Sequence, residues 1–127
     1  MHIRIENLSK GYSEHQVVAL SELSLVIEKA EFVALMGPSG CGKSTLLNLL
    51  AGIDKPTSGK IFIGDIESSS MTDDELTRFR RDKIGFVFQF FNLLSTLTAA
   101  ENVALPLELS GKFSRKQITD RCSELLE

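Results

Sequence analysis

Apolar positions along the chain recur with two different periods, which separate a strand-rich first part from a helix-rich second part. Alternating or β-branched apolar stretches and short unbroken apolar runs predict strands, and they cover residues 3–6, 23–27, 31–36, 60–63 and 84–89. The runs at 31–36 and 84–89 are typical of strands buried on both faces. From Lys43 to Leu50 the leucines lie almost all round a helix, which predicts a buried helix that ends at Gly52. The order indicates an α/β protein with a helical annex.

Three helix starts in the second part share one local signature. Thr or Ser is followed three residues later by Glu or Gln, the pattern of a capping box in which two side chains satisfy free N–H groups of the first turn. The pairs are Thr72 with Glu75, Thr98 with Glu101, and Ser114 with Gln117. The last helix carries an apolar stripe of Ile118, Cys122 and Leu125, which requires a covering surface.

Composition narrows the possible functions. The chain has 127 residues, of which 43% are hydrophobic and 24% charged, the values of one soluble globular domain. A net charge of -3 gives no support for nucleic-acid binding. No apolar run approaches the roughly 20 residues that span a bilayer, and the N-terminus lacks the apolar core of a signal peptide. We therefore expect a cytoplasmic protein whose membrane contact, if any, is made through a partner.

One motif carries recognisable chemistry. Residues 37–44 match the phosphate-binding loop (P-loop) G-x-x-x-x-G-K-[ST] in full, after an apolar run and before a helix. Its backbone N–H groups and the helix N-terminus attract phosphate oxygens. Lys43 would reach the β- and γ-phosphates, Ser44 would ligate Mg²⁺, and Thr45 would reach the α-phosphate. The predicted phosphate site comprises Gly37, Pro38, Ser39, Gly40, Cys41, Gly42, Lys43, Ser44 and Thr45.

A glycine turn that merely starts a helix is the alternative interpretation of this segment. A chance match to the motif is expected in roughly 0.4% of chains of this length, which favours phosphate binding. The motif alone would still allow a kinase, a GTPase or a helicase.

Further markers indicate the family. Residues 37–47 resemble the P-loop of the ABC type, and Lys10-Gly11-Tyr12 resembles that family's adenine-stacking position. Gly85–Gln89 resembles the strand that ends in the family's Q-loop glutamine, and Thr98–Val103 resembles the helix that follows that strand. The order and spacing agree across nearly the whole chain. The chain is therefore similar to the N-terminal part of an ABC-transporter ATP-binding subunit. The segment 85–107 most resembles the branch that serves lipoprotein release and macrolide export.

The resemblance implies specific site residues and cofactors. Tyr12 would stack on adenine, and Gln89 would contact Mg²⁺ and the attacking water, so that ATP and Mg²⁺ are the expected cofactors. Ser44 and Gln89 would be the metal ligands. Without the resemblance, Tyr12 is a half-buried residue at a strand end and Gln89 a solvated loop residue.

The resemblance also implies two partners. The first is a transmembrane permease, received by an apolar loop of Phe90, Phe91, Leu93 and Leu94, although satellite core packing would also explain these residues. The second is another copy of the ATPase domain. The turn at Lys29-Ala30-Glu31 departs from the family, which usually has glycine at the second position. Either this turn needs no positive φ, or Ala30 carries slight strain.

The implied architecture is an incomplete P-loop NTPase core of ABC type. Residues 1–89 would form the β-rich core with the P-loop strand and helix, and residues 90–127 the start of the helical subdomain. The family's catalytic acid, signature motif and switch histidine do not occur in these residues. Three superficial candidates are rejected: Leu109–Lys112, which Gly111 explains as a helix end, His15 and Asp65.

Three functional hypotheses follow. The leading one is the ATP-hydrolysing subunit of an exporter, located on the inner face of the membrane through its permease. In this hypothesis the 127 residues alone are inactive, and they are unstable because the strand at 31–36 lacks its parallel neighbour. The alternatives are a nucleotide-binding fragment without turnover and a P-loop kinase.

Overall fold

The structure is a computed structural model that describes residues 2–12 and 17–127. The chain divides into two compact units, Met1–Ile84 and Gly85–Glu127. His15 lies outside the described residues.

The first unit is built on an antiparallel sheet. Its strands are β1 (Ile3–Tyr12), β2 (Val17–Ile27), β3 (Ser58–Ile63) and β4 (Ile66–Glu67), in the spatial order β2-β1-β3-β4. Ile5 of β1 lies opposite Leu25 on one side and Ile61 on the other. The predictions of strands at 3–6, 23–27 and 60–63 are confirmed, and the first two strands extend further, into a hairpin that ends at Tyr12 and Val17.

The hydrophobic core of this unit lies between the sheet and two helices, α1 (Lys43–Leu50) and α2 (Asp73–Lys83). It consists of Ile5, Leu8, Leu46, Leu49, Ile61, Ile63 and Phe79. Burying each of these side chains contributes about 1.5–3 kcal/mol, so they hold α1 firmly on the sheet. The prediction that α1 is buried all round is wrong, because Leu47 is 46% exposed.

Two predicted strands, at 31–36 and 84–89, do not form. Phe32 is 93% exposed and Val87 is 96% exposed, so neither segment is buried as expected. A strand of a parallel sheet needs hydrogen-bonded neighbours and covered faces. None of the residues that the structure describes supplies a paired strand to either segment. Leu35 and Ile84 still pack against the core as partly buried side chains, but neither run forms the buried strand that its composition predicts.

The backbone angle φ of Ala30 distinguishes between the two interpretations of the turn at 29–31. Its φ is 64°, in the left-handed region that alanine rarely adopts. The interpretation that this turn needs no positive φ is wrong, and Ala30 carries the strain.

The second unit contains two helices, α3 (Ala99–Ser110) and α4 (Arg115–Leu126). Gly111, with a φ of 65°, ends α3, which confirms the helix-end interpretation of Leu109–Lys112. In α4, Ile118 and Cys122 are buried whereas Leu125 is exposed, so the apolar stripe is covered over only part of its length. Among the residues described, no helix is long and apolar enough to cross a bilayer.

All three predicted capping boxes are present, one at the start of each of α2, α3 and α4. In each, the Ser or Thr side chain accepts from the backbone N–H three residues later, and the Glu or Gln side chain accepts from the cap residue's own N–H. The chemistry that defines these starts lies within four residues, which is why the sequence pattern identifies them.

Candidate nucleotide-binding site

The loop that precedes α1 depends on glycine at the helix start. Gly42 is the N-cap of α1, with a φ of 93°, and no side chain of the described residues caps this end. A Cβ on Gly42 would lie 2.5 Å from the carbonyl oxygen of Ala19 in β2, so the loop is pressed against the sheet there. At Gly40, with a φ of 81°, a Cβ would meet no heavy atom of the described residues within 4 Å. The loop is therefore anchored at Gly42 and open at Gly40.

Lys43 folds back over this loop. Its ammonium donates to the carbonyl oxygens of Gly37 at 2.9 Å and Pro38 at 2.7 Å. It also lies 3.3 Å from the sulfur of Cys41, which is exposed. One positive charge thus sits inside the loop, beside the uncapped N-terminus of α1, and both features attract an anion.

The groups offered by residues 37–45 suit a polyphosphate. Ser39 and Ser44 are exposed, Thr45 is half-buried, and the segment contains no carboxylate. Its side chains supply hydroxyl groups and one ammonium, and the first turn of α1 adds backbone N–H groups. Anions are the ligands that such a donor set accepts.

The same residues can hold Mg²⁺ only when phosphate oxygens supply further ligands to the ion. Within residues 2–12 and 17–127, no group of three or more His, Cys, Asp or Glu residues is arranged to hold a metal. The Ser44 hydroxyl is a neutral oxygen ligand. Mg²⁺ commonly binds through few protein ligands, with substrate phosphates and waters completing its shell.

Tyr12 lies at the end of the β1–β2 hairpin and is 40% exposed. Its hydroxyl donates to Asp54 at 2.9 Å, and the Lys10 ammonium lies 4.8 Å from the centre of its ring. Val17 and Val18, its neighbours across the hairpin end, are also exposed. The ring and Val17, which lie opposite each other in the hairpin, offer apolar surface that a flat aromatic ligand can contact.

Asp54 joins Tyr12 to Lys10. The Lys10 ammonium donates to the Asp54 carboxylate and to the Lys55 carbonyl oxygen, both at 2.7 Å. Burial raises the pKa of the Asp54 carboxyl, but the hydrogen bonds from Lys10, Tyr12 and the Lys55 backbone outweigh it, so that the pKa lies below its ordinary value. The sequence pattern gave no indication of this cluster, because its members lie more than 40 residues apart.

The hairpin also relates Tyr12 to the phosphate-binding loop. Tyr12 lies opposite Val17, and Ala19, two residues further along β2, is the residue against which Gly42 packs. Two residues of a strand span roughly 7 Å. The structure therefore brings Tyr12 and residues 37–45 to the same end of β2.

Gln89 belongs to the second unit, where it is exposed and lies in a turn. Phe90, Phe91, Leu93 and Leu94, which follow it, are all exposed, so the core-packing alternative does not describe them. Phe91 and Asn92 have φ values of 59° and 52°, in the left-handed region that asparagine tolerates but that the bulky Phe91 adopts only under strain.

Asn102 organises the loop that contains these apolar residues. Its side-chain oxygen accepts from the N–H of Leu94 at 2.8 Å, and its amide nitrogen donates to the carbonyl oxygens of Leu94 at 3.1 Å and Leu97 at 3.2 Å. Sequence reasoning assigned Asn102 no role. Its place within Thr98–Val103, the segment that resembles the family's helix, is a signal that could have indicated one.

A glycine loop that precedes a helix and holds a lysine at the helix N-terminus defines the class of P-loop nucleotide-binding proteins. Comparison with known proteins identifies the family within that class. The family model described as ABC transporter matches residues 20–127, and the chain belongs to the ABC transporter family.

Relatives agree with this assignment. The chain is 47% identical to an uncharacterized ABC transporter ATP-binding protein, MJ0796, of Methanocaldococcus jannaschii, over 98% of this chain and 56% of that protein. It is 49% identical to the lipoprotein-releasing system ATP-binding protein LolD 1 of Chlorobium chlorochromatii, over 85% of this chain and 44% of that protein. The chain thus spans about half the length of the curated relatives it matches.

A solved structure is also closely similar. It is described as a dimeric post-hydrolysis state of the ATP-binding cassette MJ0796 bound to ADP and Pi, and it superimposes with a TM-score of 0.88 at 48% identity. The match covers 96% of this chain and 54% of that chain. The predicted fold class, an incomplete α/β core of ABC type, is confirmed.

Proposed function

We propose that this chain is the nucleotide-binding part of an ABC-transporter ATP-binding subunit, and that residues 37–45 hold the phosphates of ATP. The observation that carries the proposal is the Lys43 ammonium, held by two carbonyl oxygens over a glycine loop at the uncapped N-terminus of α1. The ammonium turns from these carbonyls to the β- and γ-phosphates, while the N–H groups of the loop and of the first turn bind the remaining phosphate oxygens.

The remaining site residues take the roles that the family resemblance implies. Tyr12 stacks on the adenine, and Ser44 and Gln89 contribute oxygen ligands to Mg²⁺. The metal, when bound, neutralises charge on the phosphates. The Lys43 ammonium and the hydroxyl and backbone N–H groups of residues 37–45 orient the triphosphate by hydrogen bonds to its charged oxygens.

The wider context of the proposal is transport. In this proposal, residues 1–89 belong to the nucleotide-binding core, and residues 90–127 belong to the helical subdomain. A separate permease docks on Phe90, Phe91, Leu93 and Leu94, a second ATPase copy completes the site, and ATP hydrolysis drives export from the cytoplasmic face of a membrane. The matching relatives include proteins named for lipoprotein release and macrolide export and one named for methionine import, so the proposal of export rests on the family resemblance of residues 85–107. The 127 residues alone bind ATP without turnover, because they contain no catalytic acid, signature motif or switch histidine.

The contacts of two arginines in α2 argue against a P-loop kinase. Such an enzyme would use arginines to bind the phosphates, and these two arginines have other partners. Arg80 donates to the carbonyl oxygen of Gly52 and to the Thr77 hydroxyl, and Arg81 pairs with Asp82 at 3.0 Å. The bond from Arg80 to Gly52 ties α2 to the segment after α1, whereas the other two contacts lie within α2.

Calorimetric titration with Mg-ATP tests the proposal. The variant Lys43→Ala should weaken binding roughly 10- to 150-fold, the loss expected for a charge-assisted hydrogen bond. Lys29→Ala, an exposed lysine in the turn after β2, is the matched control and should retain the wild-type dissociation constant. Equal affinities for wild type and Lys43→Ala would contradict the phosphate role, and ATP turnover by the 127 residues would contradict the proposed lack of hydrolysis.

A further inference from the structure

The loop between α1 and β3 is tied to the residues at the end of β1. The Thr57 hydroxyl accepts from the N–H of Gly11 at 3.0 Å, and the carboxylate of Asp54 accepts from Lys10 and Tyr12. The other side of this loop is tied to α2, where Lys55 pairs with Asp73 at 2.7 Å. The loop is therefore a fixed support, held from two directions, and its carboxylate reaches the phenol of Tyr12.

The two groups that act on Tyr12 define the placement of its ring. The hydrogen bond to Asp54 fixes the hydroxyl end, and the Lys10 ammonium lies over the ring at 4.8 Å, close enough for a cation–π contact. The Lys10 side chain is itself mostly buried, with 12% exposed, and Asp54 and the Lys55 carbonyl hold its ammonium. Lys10 thus occupies one face of a ring that is 40% exposed.

We propose that Asp54 is a positioning residue for nucleotide binding: with Lys10 it orients the Tyr12 ring before the base arrives, so that the base stacks on a ring that is already placed. This inference rests on the proposed binding of ATP. An exposed side chain that becomes ordered only on binding costs affinity, and a ring that is held beforehand avoids most of that cost. The predicted contribution acts on the adenosine part of the ligand and not on its phosphates.

A purely structural role for Asp54 makes a different prediction. The loop that contains it follows α1 directly, so its loosening would disturb α1 and the phosphate-binding loop in front of it. Both ATP and inorganic tripolyphosphate would then bind more weakly. A positioning role weakens ATP alone, because tripolyphosphate has no base to stack.

The experiment compares the dissociation constants of Mg-ATP and Mg-tripolyphosphate in wild type and three variants. Tyr12→Phe keeps the ring and removes the hydroxyl, Asp54→Ala removes its acceptor, and Asp65→Ala removes an exposed carboxylate in the β3–β4 turn as the matched control. Both site variants should weaken ATP binding roughly three- to tenfold and change tripolyphosphate binding less than twofold. The double variant should lose no more than the more affected single variant, because both remove the same hydrogen bond.

Fluorescence supplies an independent readout. Tyr12 is the only tyrosine and the chain has no tryptophan, so emission above the phenylalanine range reports this one ring. ATP should quench it through base stacking, and Asp54→Ala should require proportionally more ATP for half of the quench.

Each outcome decides a different point. Unchanged ATP affinity in Asp54→Ala, or an equal loss for tripolyphosphate, would overturn the positioning role while leaving ATP binding intact. A wild-type chain that is folded by circular dichroism and binds neither ligand would overturn the proposed function and this inference with it. Preferential loss for ATP in both site variants, with Asp65→Ala unchanged, would support it.

Discussion

Two glycines of the phosphate-binding loop provide a matched test of how the loop is held. Both have positive φ, 81° at Gly40 and 93° at Gly42, so alanine at either position should cost about 1–2 kcal/mol of backbone strain. A reduction of unfolded-state entropy returns about 0.4–1 kcal/mol. On these terms alone, each variant should lose about 1 kcal/mol of unfolding free energy.

The space around the new methyl group separates the two positions. At Gly42 it would lie 2.5 Å from the Ala19 carbonyl oxygen and 3.1 Å from a methyl carbon of Leu20, whereas at Gly40 it meets nothing of the described chain within 4 Å. The carbonyl is part of β2, so relieving the clash means moving a strand or the start of α1. Overpacking of this kind costs about 1–3 kcal/mol more. We therefore expect a loss of about 2–4 kcal/mol for Gly42→Ala and about 1 kcal/mol for Gly40→Ala.

Urea unfolding, followed by Tyr12 fluorescence and by far-ultraviolet circular dichroism, measures both losses. Equal losses would refute the reasoning, because they would mean that the packing of Gly42 against β2 does not exist in solution. A larger loss for Gly40→Ala would refute it as well.

Three further predictions concern single groups. Cys41 is exposed and Cys122 is buried, so maleimide should modify Cys41 first, and ATP should block this reaction. Equal labelling with and without ATP would count against Cys41 lying in the nucleotide site. Hydrogen bonds from the backbone N–H and then the hydroxyl of Thr72 hold the pKa of the Glu75 carboxyl below its ordinary value of 4.5. The capping contribution of Glu75 should therefore be complete above pH 4.5 and be lost as the pH falls through the lowered pKa, and an NMR titration that finds the Glu75 pKa at or above 4.5 would disprove it. Ala30→Gly should raise the unfolding free energy by about 0.5 kcal/mol, since the strain relieved exceeds the unfolded-state entropy gained, and a destabilised variant in urea unfolding would contradict this.

Features whose determinants are contiguous in sequence were predicted well. The capping boxes at Thr72, Thr98 and Ser114 each involve four consecutive residues, and Gly111 ends α3 through its own backbone freedom. The phosphate-binding motif is likewise one unbroken segment, so its loop and the helix that follows it could be recognised together.

Features that depend on distant partners were not predictable in the same way. The runs at 31–36 and 84–89 have the composition of buried strands, but a strand exists only when neighbours complete its hydrogen bonds, and composition does not reveal whether they are present. Tyr12 was correctly placed at a strand end, whereas its hydrogen bond to Asp54 joins residues 42 positions apart. No local pattern encodes such a pair.

The position of Lys43 affects how its variants must be interpreted. The ammonium that is proposed to meet the phosphates is also the group that bridges the carbonyl oxygens of Gly37 and Pro38, so it serves as an internal brace of the loop. When a nucleotide binds, the Lys43 ammonium exchanges these two carbonyl oxygens for phosphate oxygens. The net gain in binding free energy is therefore smaller than the energy of the new contacts alone. Lys43→Ala removes the brace together with the phosphate contact. Amide hydrogen exchange of residues 37–42 in the nucleotide-free variant should accelerate even where no ligand has been added.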